Sequence, residues 1–264
     1  MPSPNTLLAE QVRAGLHEHG VKVPALTRAA KHLAEVQAWG RTGPADLPGI
    51  IDHQHQPAML ATAVRDALSR GEDPTLDPTV RRIVIAQAIT PSVFFERVAS
   101  IAVDRYAATI TTNEDTIIAK LTPAFDQHVT ALAAAAERLG PDVNLDDDAA
   151  VLELDVRDLA LPARDARKAL NQLVRLLQSI DQLTTGRPQP AALHLAALDA
   201  DDWDVLGLTG SRPTDPPDTY AMVQHGVPWS LAGTTDTRAR VDALAAQRRD
   251  RATNLTHAPE TQRA

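Results

Sequence analysis

The chain predicts an all-α fold: a helical bundle built around one long antiparallel helical hairpin, followed by an irregular C-terminal tail. Three observations carry this. Ala occurs 45 times in 264 residues while only eight residues are aromatic, which suits closely packed helices, because Ala favours the helix and lets backbones approach. The 12 Gly and 19 Pro fall mostly between apolar-periodic stretches and act as punctuation. Two long apolar stripes, stepping by three and four residues, flank a short acidic turn.

The elements follow in order. A first helix spans about 6–19, with Leu8, Val12 and Leu16 on one face and Gly20 as its stop. Pro24 opens a second carrying Leu26, Ala30, Leu33 and Val36, ending near Gly40. The Gly- and Pro-rich stretch 41–56 is a loop, and a third helix runs over 57–70 through Leu60, Val64 and Leu68. Four start signals then place an oxygen-bearing cap before a proline: Asp73-Pro74, Asp77-Pro78, Thr90-Pro91 and Thr122-Pro123. Proline at the first helical position loses nothing by lacking an N–H, and its φ is preset. Asp77-Pro78 launches a short helix through Val80, Ile83, Val84 and Ile89, with a strand over 81–85 as its rival. Thr90-Pro91 starts the helix of Phe94, Phe95, Val98, Ile101 and Val103.

The hairpin occupies about 114–140 and 149–183. Its first stripe is Ile118, Leu121, Phe125, His128, Leu132, Ala135 and Leu139; its second is Leu152, Val156, Leu159, Ala163, Ala166, Leu170, Leu173, Leu177 and Ile180. Setting Leu139 against Leu152 brings Phe125 to Ala166 and Ala135 to Val156, the large-on-small pairing that fills space without strain. His128 then faces Ala163 as a tolerated polar residue. Pro123 marks a fresh start or a kink, and Pro162 is expected to bend the second rod. The run Asp146-Asp147-Asp148 lacks the ligand spacing and central Gly of a calcium loop and is read as capping the next helix.

Four regions result: an N-terminal helical region, 1–110; the hairpin, 111–186, packed on it, the two together forming one domain; short helices, 187–210; and a Pro-rich linker with an extended or partly disordered tail, 211–264. A polar helix candidate covers 236–251 within that tail.

Composition bounds function. A net charge of −8 argues against nucleic acid, which calls for a basic stripe to meet phosphates. The absence of Cys excludes disulfides, thiolate catalysis and thiolate metal sites. The N-terminus lacks the basic and apolar regions of a signal peptide, and no apolar run reaches the ~20 residues of a membrane span, so a cytoplasmic protein with no membrane partner is expected. No phosphate loop, nucleophile elbow, HExxH or zinc-finger spacing occurs; no catalytic residue and no cofactor is assigned.

One loop could hold a metal. Asp52, His53 and His55 place two imidazoles and a carboxylate together, the donor types of a divalent cation site. The interaction candidates are Leu177 and Ile180, which outrun the first stripe, Trp229 in the tail, and Arg238, Arg240, Arg248 and Arg249 on the tail helix. The reading that follows is a non-catalytic helical protein-interaction or assembly protein, binding a protein partner or forming a homo-oligomer through the hairpin and tail. Its rivals are a phage or prophage morphogenesis accessory of scaffold or head-completion type, and a metal-dependent enzyme using the Asp52-His53-His55 loop.

Overall fold

A computed structural model describes residues 4–42, 56–88, 91–140, 145–153, 155–209, 212 and 215–257. Their regular structure is helical: α1 Pro4–Glu18, α2 Pro24–Thr42, α3 Gln56–Ser69, α4 Pro78–Ala88, α5 Pro91–Thr112, α6 Glu114–Leu139, α7 Asp148–Glu153, α8 Arg157–Thr185, α9 Ala191–Leu195, α10 Ala200–Val205, α11 Thr219–His225 and α12 Thr234–His257. Among the described residues the only β contact is one isolated antiparallel bridge, Ala196 to Trp229. The all-α prediction holds. The chain divides into two compact units, residues 1–9 with 24–109 and residues 10–23 with 110–264.

Unit 1 holds α2, α3, α4 and most of α5, and its buried side chains include Leu26, Leu33, Ala67, Val80, Ile83, Val103 and Tyr106. Its helices begin where proline predicts. Asp77 caps α4, its Oδ1 accepting from the Thr79 and Val80 amides at 2.8 and 2.9 Å, while Arg70 donates to Oδ2 at 2.7 Å. Segment 81–85 is helix, not strand. Asp73-Pro74 starts no helix: the Asp73 carboxylate accepts from both the amide and the hydroxyl of Thr75, a side-chain-closed turn.

Unit 2 contains α6 and α8, which share its most extensive helix packing. Leu121, Phe125, Leu132, Ala135 and Leu139 of the first stripe are buried, as are Ala163, Ala166, Leu170, Leu173, Leu177 and Ile180 of the second. Two features depart from expectation. Pro123 lies within α6, because the Thr122 hydroxyl donates back to Ile118 O instead of capping a new helix. The predicted rod over 149–183 is two helices. Asp155 takes a left-handed φ of 53°, and Val156 N bonds Val151 O while Asp155 N bonds Leu152 O. That pair of bonds is a Schellman motif, which closes α7 and satisfies its last carbonyls. Leu152 is consequently left 64% exposed.

The acidic turn is neutralised from α8. Arg164 donates to Leu145 O at 2.7 Å and pairs with Asp148, and Arg167 pairs with Asp146. Asp147 accepts from the Ala149 amide at the start of α7, as the capping role requires.

The tail is more regular than expected. Asp218 caps α11, and α12 runs 24 residues with α9, α10 and α8 packed against it. Residues 229–232 are the extended part: Ser230 N donates to Leu195 O and Ala232 N to His194 O, at 2.9 and 2.8 Å. Apolar spacing could not announce α12, which is polar around nearly its whole circumference; its start is set by a distant carboxylate. Glu114, at the start of α6, accepts from the Thr235 amide at 3.2 Å and the Thr235 hydroxyl at 2.7 Å.

Candidate functional site

Three segments of unit 2 meet at one imidazole. His194 sits in the apolar run of α9, Asp181 on the inward face of α8 one turn beyond Leu177, and Thr237 in the first turn of α12; all three are 0% exposed. His194 Nε2 lies 2.8 Å from Asp181 Oδ2, and Nδ1 lies 3.1 Å from Ala232 O and 3.0 Å from Thr237 Oγ1. Asp181 Oδ2 also accepts from the Gln189 amide at 3.0 Å, while Oδ1 is buried without a partner among the described residues. A carboxylate on one ring nitrogen and a hydroxyl on the other are the parts of an acyl-transfer relay. Here the hydroxyl is sealed from solvent, so no substrate reaches it. The set ties α12 to α8 and α9.

A second clamp reinforces the first. Arg240 Nη1 donates to Leu193 O at 2.8 Å and to Ser230 O at 3.0 Å, and Nη2 donates to Ser230 Oγ at 2.7 Å. Burial holds this guanidinium below its ordinary pKa.

Among the described residues of unit 2, a groove of about 580 Å³ lies open between α1 and α8. Ala14, Gly15 and Leu176 form its floor. Gly15 is the close-approach point, since a Cβ there would lie 2.8 Å from Leu176 Cδ1. The walls are polar and follow helical spacing: Gln11 and Glu18 on α1, and Gln172, Arg175, Ser179 and Gln182 on α8. Gln178 Nε2 donates to Gln189 O at 3.3 Å, and His19 closes one end. His128 on α6 is half-buried, and burial first, then the charge of His19, lowers its pKa.

The predicted site residues are distributed as follows. Asp52, His53 and His55 lie outside the described residues; among those described, no group of three or more His, Cys, Asp or Glu is placed to hold a metal ion. Leu177 and Ile180 are interior, 2% and 5% exposed. Trp229 is half-buried, its ring 6.1 Å from that of Phe125. Arg240 is spent on the internal clamp, and Arg248 faces Asp204 and Thr209 beside α10. Arg238 and Arg249 are exposed. Sequence reasoning missed Asp181, His194 and Thr237; a lone His inside Ala191-Ala192-Leu193-His194-Leu195-Ala196 and an Asp on the apolar side of α8 were the available signals.

Among the described residues no helix is long and apolar enough to cross a membrane. The chain matches no known protein family, and no curated protein or solved structure matches it significantly.

Proposed function

We propose that this chain is a non-catalytic, helical protein-interaction module that takes an extended segment of a partner protein along the groove between α1 and α8. The observation that supports it is the amide-bearing wall. Gln11, Gln172 and Gln182 line a groove whose floor is small and apolar. A primary carboxamide offers both donor and acceptor, the complement of a peptide backbone. From Gln172 to Gln182 the wall runs roughly 15 Å, the length of four to five extended residues. The Asp181–His194–Thr237 set, which has the parts of a reaction centre, is used to hold the fold.

On this reading the interaction surface moves around α8. Leu177 and Ile180 face inward and serve the core, while the polar edge a few residues away serves the partner. The test is selection from a random-peptide display library against the purified chain, followed by affinity measurement on synthetic peptides. Peptides should be enriched, and the variant Gln172→Ala with Gln182→Ala, unchanged in melting temperature, should bind them about tenfold or more weakly. Failure to enrich any peptide, or equal binding to both proteins, would overturn the proposal.

A further inference from the structure

We propose that the peptide segment held between α1 and α8 is bipolar: it carries an acidic and a basic residue close together, the first read by Arg175 and the second by Glu18. This rests on the groove being a peptide site, and it names the kind of segment that site selects.

Two opposite charges line the groove from opposite walls, Glu18 on α1 and Arg175 on α8. Both stand beside the close approach of Gly15 to Leu176. Arg175 adjoins Leu176 in the chain, and Glu18 follows Gly15 by less than one helical turn. Both residues are exposed, and neither side chain has an ion pair or hydrogen bond among the described residues. Elsewhere exposed opposite charges close on each other, as Lys31 and Glu35 do at 3.8 Å and Arg251 and Asp201 at 2.7 Å. Here the groove holds a cation and an anion apart. The only other titratable side chain in its described lining is His19, so no further carboxylate, lysine or arginine competes with the two.

Glu18 is placed where a carboxylate is disfavoured. It is the last residue of α1, and the partial negative charge of a helix C-terminus repels an anion. A ligand ammonium or guanidinium beside it relieves that repulsion. Arg175 offers a fork of N–H donors, which a carboxylate accepts in pairs. A purely acidic segment is repelled by Glu18 and a purely basic one by Arg175, so a segment with both signs is preferred over either. Each wall charge lies within about one helical turn of the Gly15–Leu176 contact. An acid and a base no more than two positions apart in an extended segment therefore reach both.

Selection from a random-peptide display library, run in parallel on the full chain and on the charge reversals Arg175→Glu and Glu18→Lys, tests it. The wild-type pool should be enriched in peptides with an acidic residue within two positions of a basic one. Arg175→Glu should lose the acidic preference and keep the basic one, and Glu18→Lys should do the converse. A synthetic peptide from the wild-type pool should bind Arg175→Gln and Glu18→Gln about two- to fivefold more weakly, the range of an exposed ion pair, and more weakly at high salt. The same peptide with its charged residues replaced by Gln should bind wild type and both Gln variants alike. Should a reversal variant unfold, the Gln variants alone decide the matter. A wild-type pool without the charge pair, pools unchanged in the reversals, or full affinity in both Gln variants would overturn the bipolar partner and leave the groove standing. A library that yields no enriched peptide would overturn the groove and this assignment with it.

Discussion

His194 Nε2 sits 2.8 Å from Asp181 Oδ2 with both side chains wholly buried, so the last long helix of the chain is fastened through an interior polar pair. Removing one member strands the other. His194→Ala leaves a carboxylate with only the Gln189 amide and should cost about 3–5 kcal/mol in urea unfolding. Asp181→Leu combined with His194→Leu should restore part of that loss, because no ionisable group then remains buried there, while the Thr237 hydroxyl and the Gln189 amide still lose a partner. Losses that simply add would show that the two residues are not coupled.

Gly233 is required by a neighbour rather than by its own backbone. A Cβ there would collide with the Glu114 carboxylate, which holds the Thr235 amide and hydroxyl. Gly233→Ala should therefore release that cap and cost about 1–2 kcal/mol, as loss of a helix cap does. Glu114→Gln should cost a comparable amount, and the double variant little more than the worse single one. An additive double variant would mean that Gly233 and Glu114 act separately.

These two relationships mark where sequence reading stops. The proline-led starts of α4 and α5 and the Gly20 stop of α1 were legible because local chemistry decides them. The stripes of α6 and α8 were legible because burial repeats with the helical period. The break at Asp155 was hidden because its left-handed position is held by Asp instead of Gly. The polar helix read from 236 starts two residues earlier, at Thr234, because Glu114, 121 residues away, holds the Thr235 amide. Asp181, His194 and Thr237 come from three helices, and no spacing links them; of the predicted interaction residues, Leu177 and Ile180 are buried, and Arg240 is bonded to Leu193 and Ser230.

His128 gives the fold a dependence on acid. Burial and the charge of His19 both lower its pKa below the ordinary 6.5, so the folded state prefers the neutral ring. The unfolded chain then binds the proton more readily, and stability falls as pH drops below about 6.5, levelling off once the folded form also protonates. Melting temperatures measured from pH 7.5 to 5 should show this fall reduced in His128→Gln. His19→Gln should reduce it less, since burial is the larger cause. An unchanged pH profile in His128→Gln would assign the dependence to other groups.

Arg240 separates charge from geometry. Its planar fork reaches Leu193 O, Ser230 O and Ser230 Oγ together, and these three acceptors lie on the two segments that flank the His194 network. Lysine keeps the charge but has one tetrahedral ammonium, which cannot span acceptors set out for a fork. Arg240→Lys should therefore destabilise by about 1–3 kcal/mol, the cost of leaving part-buried carbonyls unsatisfied. Amide exchange should report the same loss locally, with faster exchange at Ser230 and Ala232, whose amides bond Leu195 O and His194 O. Wild-type stability in Arg240→Lys would show that charge alone holds the clamp.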